Sequence, residues 1–349
     1  MPLFTRRATP LSQEEIFNHL KEARSHAVAP YSNYQVASIV EIKLQDNIFF
    51  YTSGVNIELG AHNRLSIHSE QNAIASALTL LGGDTKFSRI WIMAAPANAC
   101  PEDKHSAGKS CGHCRQIMVS LAKPGAEIYA VTLDGHFSIA DTFENHFLPD
   151  CFSERDLNLP SFNHSASATH SLGQGSTIFN SPKWQGWNII NERGELTIDD
   201  IMKYFKLLSP HMINPQFQTS PITACILKCN NGRYAAGVLI QDLAFLTTDA
   251  IFSALGNAVT QFGNTNLSFY EIHLASDSLD PLQISSAEIE LLSSQYVFSH
   301  TKVNFYASNR HASYMFMECK DARDLYLDHL LKNNFSMEVG LETSLRAKL

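Results

Sequence analysis

The sequence predicts an α/β protein of two tandem three-layer α/β/α domains, each on a central mixed sheet, the second copy degenerate. Three observations predict it. The first half alternates helical and strand patterns in the order helix, two strands, helix, strand, helix, strand. The second half repeats the hairpin, helix and strand of that order. Two short clusters of ionisable side chains stand in the first copy and have no counterpart in the second.

The first helix is expected from Ser12 to Ala27, opened by a Ser12–Glu15 capping box, with Ile16, Leu20 and Ala23 on one face. A turn at A-P-Y-S-N-Y then runs into a strand through Q-V-A-S-I-V-E-I. N-I-F-F-Y-T-S-G-V-N-I-E reads as its partner strand. Behind His68, the apolar residues Ala73, Ile74, Ala77, Leu78 and Leu81 share a helical face, and Gly82-Gly83 ends that helix. R-I-W-I-M-A-A-P is a strand. Ile117, Met118 and Leu121 make a helical face behind Cys114, stopped by Pro124, and A-E-I-Y-A-V-T is the last strand.

At 349 residues the chain has room for two domains with real cores, and 44% apolar with 17% charged residues describes a soluble globular protein. A formal net charge of −8 argues against a dedicated nucleic-acid binder. No apolar run is long enough to span a bilayer, and no apolar stretch follows Arg6-Arg7 to make a secretory signal. Seven scattered cysteines form an odd set, which suits a reducing, cytoplasmic setting better than a disulfide framework.

The first cluster, S-I-H-S-E-Q, offers His68 and Glu70; the second, S-C-G-H-C-R-Q, offers Cys111 and Cys114. One imidazole and two thiolates suit a borderline-soft divalent ion, and three protein ligands leave a fourth position open, as in catalytic zinc sites. Glu70 is too close to His68 to be a comfortable fourth ligand, and is placed to reach a water on the metal. Both clusters sit at expected helix starts, whose free N–H groups favour thiolate. A Cys-x-x-Cys alone is equally a redox pair or two buried thiols; the upstream His-x-Glu decides for a metal site.

The order P-Y-S-N-Y-x-V, G-V-N-I-E, H-S-E-Q and C-G-H-C-R-Q resembles the cytidine deaminases, in particular their larger, two-domain, homodimeric form. F-L-P-D-C-F-S-E-R-D-L (147–157) resembles the segment that closes the catalytic domain there. His-x-Glu with Cys-x-x-Cys is the zinc-deaminase signature. The resemblance implies one Zn2+ per chain on His68, Cys111 and Cys114, and Glu70 as the proton shuttle for hydrolytic deamination of cytidine and 2′-deoxycytidine. It implies Asn56 and Glu58 on the ribose 3′-hydroxyl and Tyr34 against the pyrimidine, although a core tyrosine would look the same. Ser69, in place of the usual alanine, adds a hydroxyl at the pocket floor. The expected partners are a free nucleoside and a second copy of the chain, with no nucleic acid or membrane. A deaminase of another base or of a nucleic-acid strand, and a non-catalytic zinc-binding relative with a closed pocket, are the alternatives.

The expected boundaries are a catalytic domain at 1–160, a linker at 161–194, the degenerate copy at 195–308 and a helical extension at 309–349. In the second copy Leu239 stands for Asn56, Gln241 for Glu58, Asp249 for His68 and Ile251 for Glu70, which leaves an assembly role. The main departure from the family is an insertion of 14 residues, Ala97 to Ser110, between the strand end and Cys111. It either loops out, covers the mouth as a lid, or narrows the pocket. Arg115 tempers the site's charge or is solvated. His113 is expected exposed and Cys225 and Cys229 in the core, while His62 and His105 are near the site in sequence only.

Overall fold

A computed structural model of the chain describes residues 4–44, 47–59, 66–82, 85–102, 108–142, 184–185, 188–189, 195–208, 222–241, 247–265, 267–276, 291, 296–308 and 315–325. Helix α1 (Gln13–Arg24) starts at Ser12 with both arms of the capping box made and buries Ile16, Leu20 and Ala23. Strands β1 (Phe4–Arg7), β2 (Tyr34–Lys43), β3 (Phe49–Val55), β6 (Phe87–Pro96), β7 (Ala122–Val131) and β8 (Phe137–Thr142) form one sheet in the order β1-β3-β2-β6-β7-β8. Only β6 and β7 run parallel, so the sheet is mixed. Helix α1 joins one apolar cluster; α2 (Ser69–Leu81) and α3 (Gly112–Leu121) join a second, as a three-layer arrangement requires. A short ladder of β4 (Ile57–Glu58) with β5 (Ser66–Ile67) leads into α2. Gly82 closes that helix with φ +100°, a conformation that glycine adopts without a side-chain clash.

The second half repeats this order. Its strands are β9 (Trp184–Gln185), β10 (Asn188–Ile189), β11 (Ile222–Cys229), β12 (Tyr234–Val238), β15 (Phe269–Ser276), β16 (Val297–Ala307) and β17 (Met315–Asp321). They pair as β17-β16-β15-β11-β12-β10-β9, again with one parallel pair, β15 with β16. A ladder of β13 (Ile240–Gln241) with β14 (Thr247–Thr248) mirrors β4 with β5. Helix α4 (Ile198–Leu208) stands for α1, and α5 (Ala250–Phe262) for α2.

The repeat extends to side chains. In each half a glycine of the hairpin lets a helix lie against the sheet. A methyl group on Gly54 would stand 2.2 Å from the Ala73 nitrogen and 2.6 Å from the Ser69 carbonyl oxygen; on Gly237 it would meet Ala254 and Ala250 at the same distances. A partly exposed ion pair is also repeated with its charges exchanged. Arg89 on β6 faces Glu41 on β2 at 3.1 Å, and Glu271 on β15 faces Lys228 on β11 at 3.4 Å. Tyr51 and Tyr234, the hairpin residues opposite Glu41 and Lys228, accept from the backbone N–H groups of Leu11 and Leu196. Helices α2 and α5 meet across the halves through buried polar groups: Ser76 donates to Asn257 at 2.7 Å, and the Asn72 amide lies 2.9 Å from the Thr260 hydroxyl.

Gly54→Ala is expected to cost about 1–3 kcal/mol of stability, because the backbone nitrogen of Ala73 cannot yield to the methyl group as a flexible side chain would. Urea denaturation of the variant beside the parent measures it.

The second sheet also takes in strands from outside 195–308. Strand β17 lies in the stretch 309–349 expected to be helical, and β9 and β10 lie in the expected linker. β1 and β8 were not anticipated either. In the expected helical extension, helical backbone begins after β17, at 322–325, and residues beyond 325 fall outside the described region, as do 147–157, His62 and His105. No described helix is long and apolar enough to cross a membrane.

Candidate active site

Helices α2 and α3 both begin at the same end of the first sheet. His68 is the N-cap of α2 and Cys111 the N-cap of α3, each in extended backbone, with Cys114 one turn into α3. The His68 Nδ1 atom lies 3.4 Å from Cys111 Sγ and 3.3 Å from Cys114 Sγ, and the three donor atoms all lie within 4.8 Å of one another. A tetrahedral zinc with bonds of about 2.0 Å to nitrogen and 2.3 Å to sulfur would hold such atoms about 3.5 Å apart. The three residues therefore fit that ion in spacing and in donor chemistry.

The electrostatics point the same way. The Cys111 thiol is pulled down to about 3 by the hydrogen bond from Cys114 and the one from His68. Cys114 is held well above the ordinary thiol range by that same bond to Cys111, by burial and by the nearby charge of Glu70. His68 is raised, chiefly by its bond to Cys111. Two sulfurs this close share one proton until a cation takes its place.

Glu70 is buried in the first turn of α2. The Ser69 hydroxyl donates to its Oε2 at 3.0 Å, and Ser69 in turn meets Ser38 of β2 at 2.7 Å. A cleft of about 350 Å³ opens above, and Tyr34, Asn56, Glu58, His68, Glu70 and Cys111 all line it. All eight residues expected at the site are brought together except that Cys114 lies behind the cleft wall, at the metal donors. Tyr34 is exposed in the cleft and is not a core residue. Asn56 bridges to β2, accepting from the Val36 N–H at 2.8 Å and donating to the Tyr34 carbonyl at 2.9 Å. Glu58 accepts from the Tyr31 and Ser32 N–H groups, both at 3.0 Å, and from the Ser32 hydroxyl.

Of the insertion, 97–102 and 108–110 are described, and its C-terminal end walls the cleft. Gly108 seats so tightly that a methyl group there would stand 2.4 Å from the Ala94 side chain, and Gly108 and Lys109 both line the cavity. Arg115 is not simply solvated: its Nε donates to the Ser110 carbonyl at 2.9 Å and anchors this end to α3. Arg24 occupies the carbonyls at the strand end, donating to Ala95 at 2.9 Å and to Gln35 at 3.2 Å.

Four residues escaped the sequence reading: Ser38, Gln71, Lys109 and Arg24. Gln71 was findable as the third residue after an N-cap. Its Oε1 accepts from the His68 N–H at 3.1 Å, and its amide nitrogen lies 2.8 Å from His113 Nε2. His113 is exposed, as expected, and stacks on the His68 ring with centroids 5.8 Å apart. Cys225 and Cys229 are buried in the second sheet, as expected.

No family model matches the chain. Among solved structures the chain is similar to a cytidine deaminase from Burkholderia pseudomallei, at 28% identity over 41% of this chain and 100% of that one, with a TM-score of 0.33. It is also similar to the cytidine deaminases of Mycobacterium leprae (21% identity, 38% of this chain, 95% of that one, TM-score 0.28) and Mycobacterium tuberculosis (20%, 34%, 85%, 0.27).

Proposed function

We propose that the chain is a zinc-dependent hydrolase that deaminates cytidine or 2′-deoxycytidine to the uridine product and ammonia. The observation that carries this reading is the convergence of His68, Cys111 and Cys114 beside a buried carboxylate at the floor of an open cleft. A zinc ion bound there supplies the Lewis acidity that makes water nucleophilic near neutral pH. Glu70 takes the proton from the attacking water, delivers it to ring N3, and assists departure of the 4-amino group as ammonia. Tyr34 offers its ring to the pyrimidine. Asn56 and Glu58 serve the ribose: Glu58 Oε1 and the Asn56 amide oxygen each keep a second lone pair, and the Asn56 amide a second proton, beyond the bonds they already make. In this reading the chain works as a cytoplasmic homodimer, and the second half, without the site's side chains, serves assembly.

The test is loss of ultraviolet absorbance from purified protein given cytidine, deoxycytidine or single-stranded DNA, with zinc measured on the same sample. Turnover of a free nucleoside is the expected result. Turnover of the strand alone, or bound zinc with no turnover, would overturn the assignment.

A further inference from the structure

We propose that Ser38 and Ser69 are positioning residues that hold the Glu70 carboxylate in its working orientation, an inference that rests on the proton-moving role given to Glu70 above. Ser38 stands on β2, directly opposite Gly54 of β3. Because Gly54 has no side chain, the first turn of α2 approaches the sheet there closely enough for Ser38 to meet Ser69 at 2.7 Å. Ser69 then donates to Glu70 Oε2 at 3.0 Å. Both serines are fully buried, at 0% and 1% exposure, so water does not compete for these bonds. A buried hydroxyl costs free energy unless it is bonded, and this pair ends on a carboxylate.

Direction matters too. With Glu70 ionised, Ser69 donates to it and accepts from Ser38. A carboxylic acid at the same place can donate back to Ser69, because a hydroxyl works as donor or acceptor. The contact to Oε2 therefore persists in both states of a residue that takes and gives a proton. Without the anchor on the strand, Ser69 can rotate and the carboxylate can turn with it. A glutamate in a helix's first turn is otherwise drawn back towards the free N–H groups of that turn.

Ser38→Ala and Ser69→Ala are the tests, with Ser38→Thr as the variant that keeps the hydroxyl. Expected for both alanine variants is a fall of about tenfold in kcat per bound zinc, with KM and zinc content little changed. The double variant should be no worse than the poorer single one, because the two act through one chain. Ser38→Thr should keep most of the parental kcat. Crystal structures of the zinc-free proteins give a readout independent of activity: the Glu70 carboxylate should turn away from its parental position in Ser38→Ala. An unchanged carboxylate with an unchanged kcat per zinc would overturn the proposal, as would equal loss in Ser38→Thr. If the parent deaminates nothing, the reading of Glu70 fails instead, and the carboxylate's orientation in the crystals still decides the role of the serines.

Discussion

Glu70→Gln is expected to bind zinc as the parent does and to lose at least about 10³-fold in kcat. The amide has nearly the shape of the carboxylate and can still accept from Ser69, so α2 and its contacts should be undisturbed. What it cannot do is take a proton from water and return it to the ring and the leaving amine. Glu70 is not one of the three donors grouped at the site, so zinc content should stay at parental level. KM should change much less than kcat, since the lost step is proton movement and not nucleoside binding. The measurement is steady-state deamination with zinc determined on the same sample. A rate within tenfold of the parent would remove Glu70 from the mechanism.

Cys114→Ser should lose the metal itself. Cys114 is wholly buried, so no outside donor can replace its sulfur, and a serine hydroxyl is a poor ligand at neutral pH. Zinc after gel filtration should fall to about a tenth of the parental content or less, and activity with it. The buried core around Met118 and Leu121 of the same helix gives the variant a way to stay folded. Circular dichroism at parental intensity would separate loss of metal from loss of fold. Acid should act in the same direction. His68 and Cys114 hold their protons more tightly than usual, so protons compete with the ion, and zinc should be released as the pH falls.

Much of the architecture was legible because each long element carries its own period. The capping box at Ser12 and the apolar face behind His68 stand where the pattern puts them. The repeat was legible from the hairpin and helix, and Gly54 with Gly237 shows why: both halves need the same close approach. The charge-exchanged pairs Glu41–Arg89 and Lys228–Glu271 were not legible, since position-by-position comparison shows two unlike residues where space shows one contact. Edge strands were missed for another reason. β9 and β10 have two residues each, too few to show an alternation, and β17 keeps Phe316 and Met317 exposed in succession.

At the site, motif and spacing singled out ionisable groups that the fold brings together, because their chemistry restricts which residues can stand there. The supporting groups carry no such mark. Ser38 is one small polar residue inside an apolar strand, and nothing local says that it faces Ser69 across the gap that Gly54 opens. Lys109 reaches the cleft through a loop whose path no periodicity describes. Asn56 and Glu58 were found by motif, yet their bonds to the 31–36 segment show a second duty, bracing the cleft wall.

The central claim is that one cation is held by His68, Cys111 and Cys114. An anomalous difference map collected on either side of the zinc absorption edge, from crystals of undenatured protein, tests it most directly. The account predicts a single peak about 2.0 Å from His68 Nδ1 and about 2.3 Å from each sulfur. An empty map at that position, or density joining the two sulfurs to each other, would contradict it.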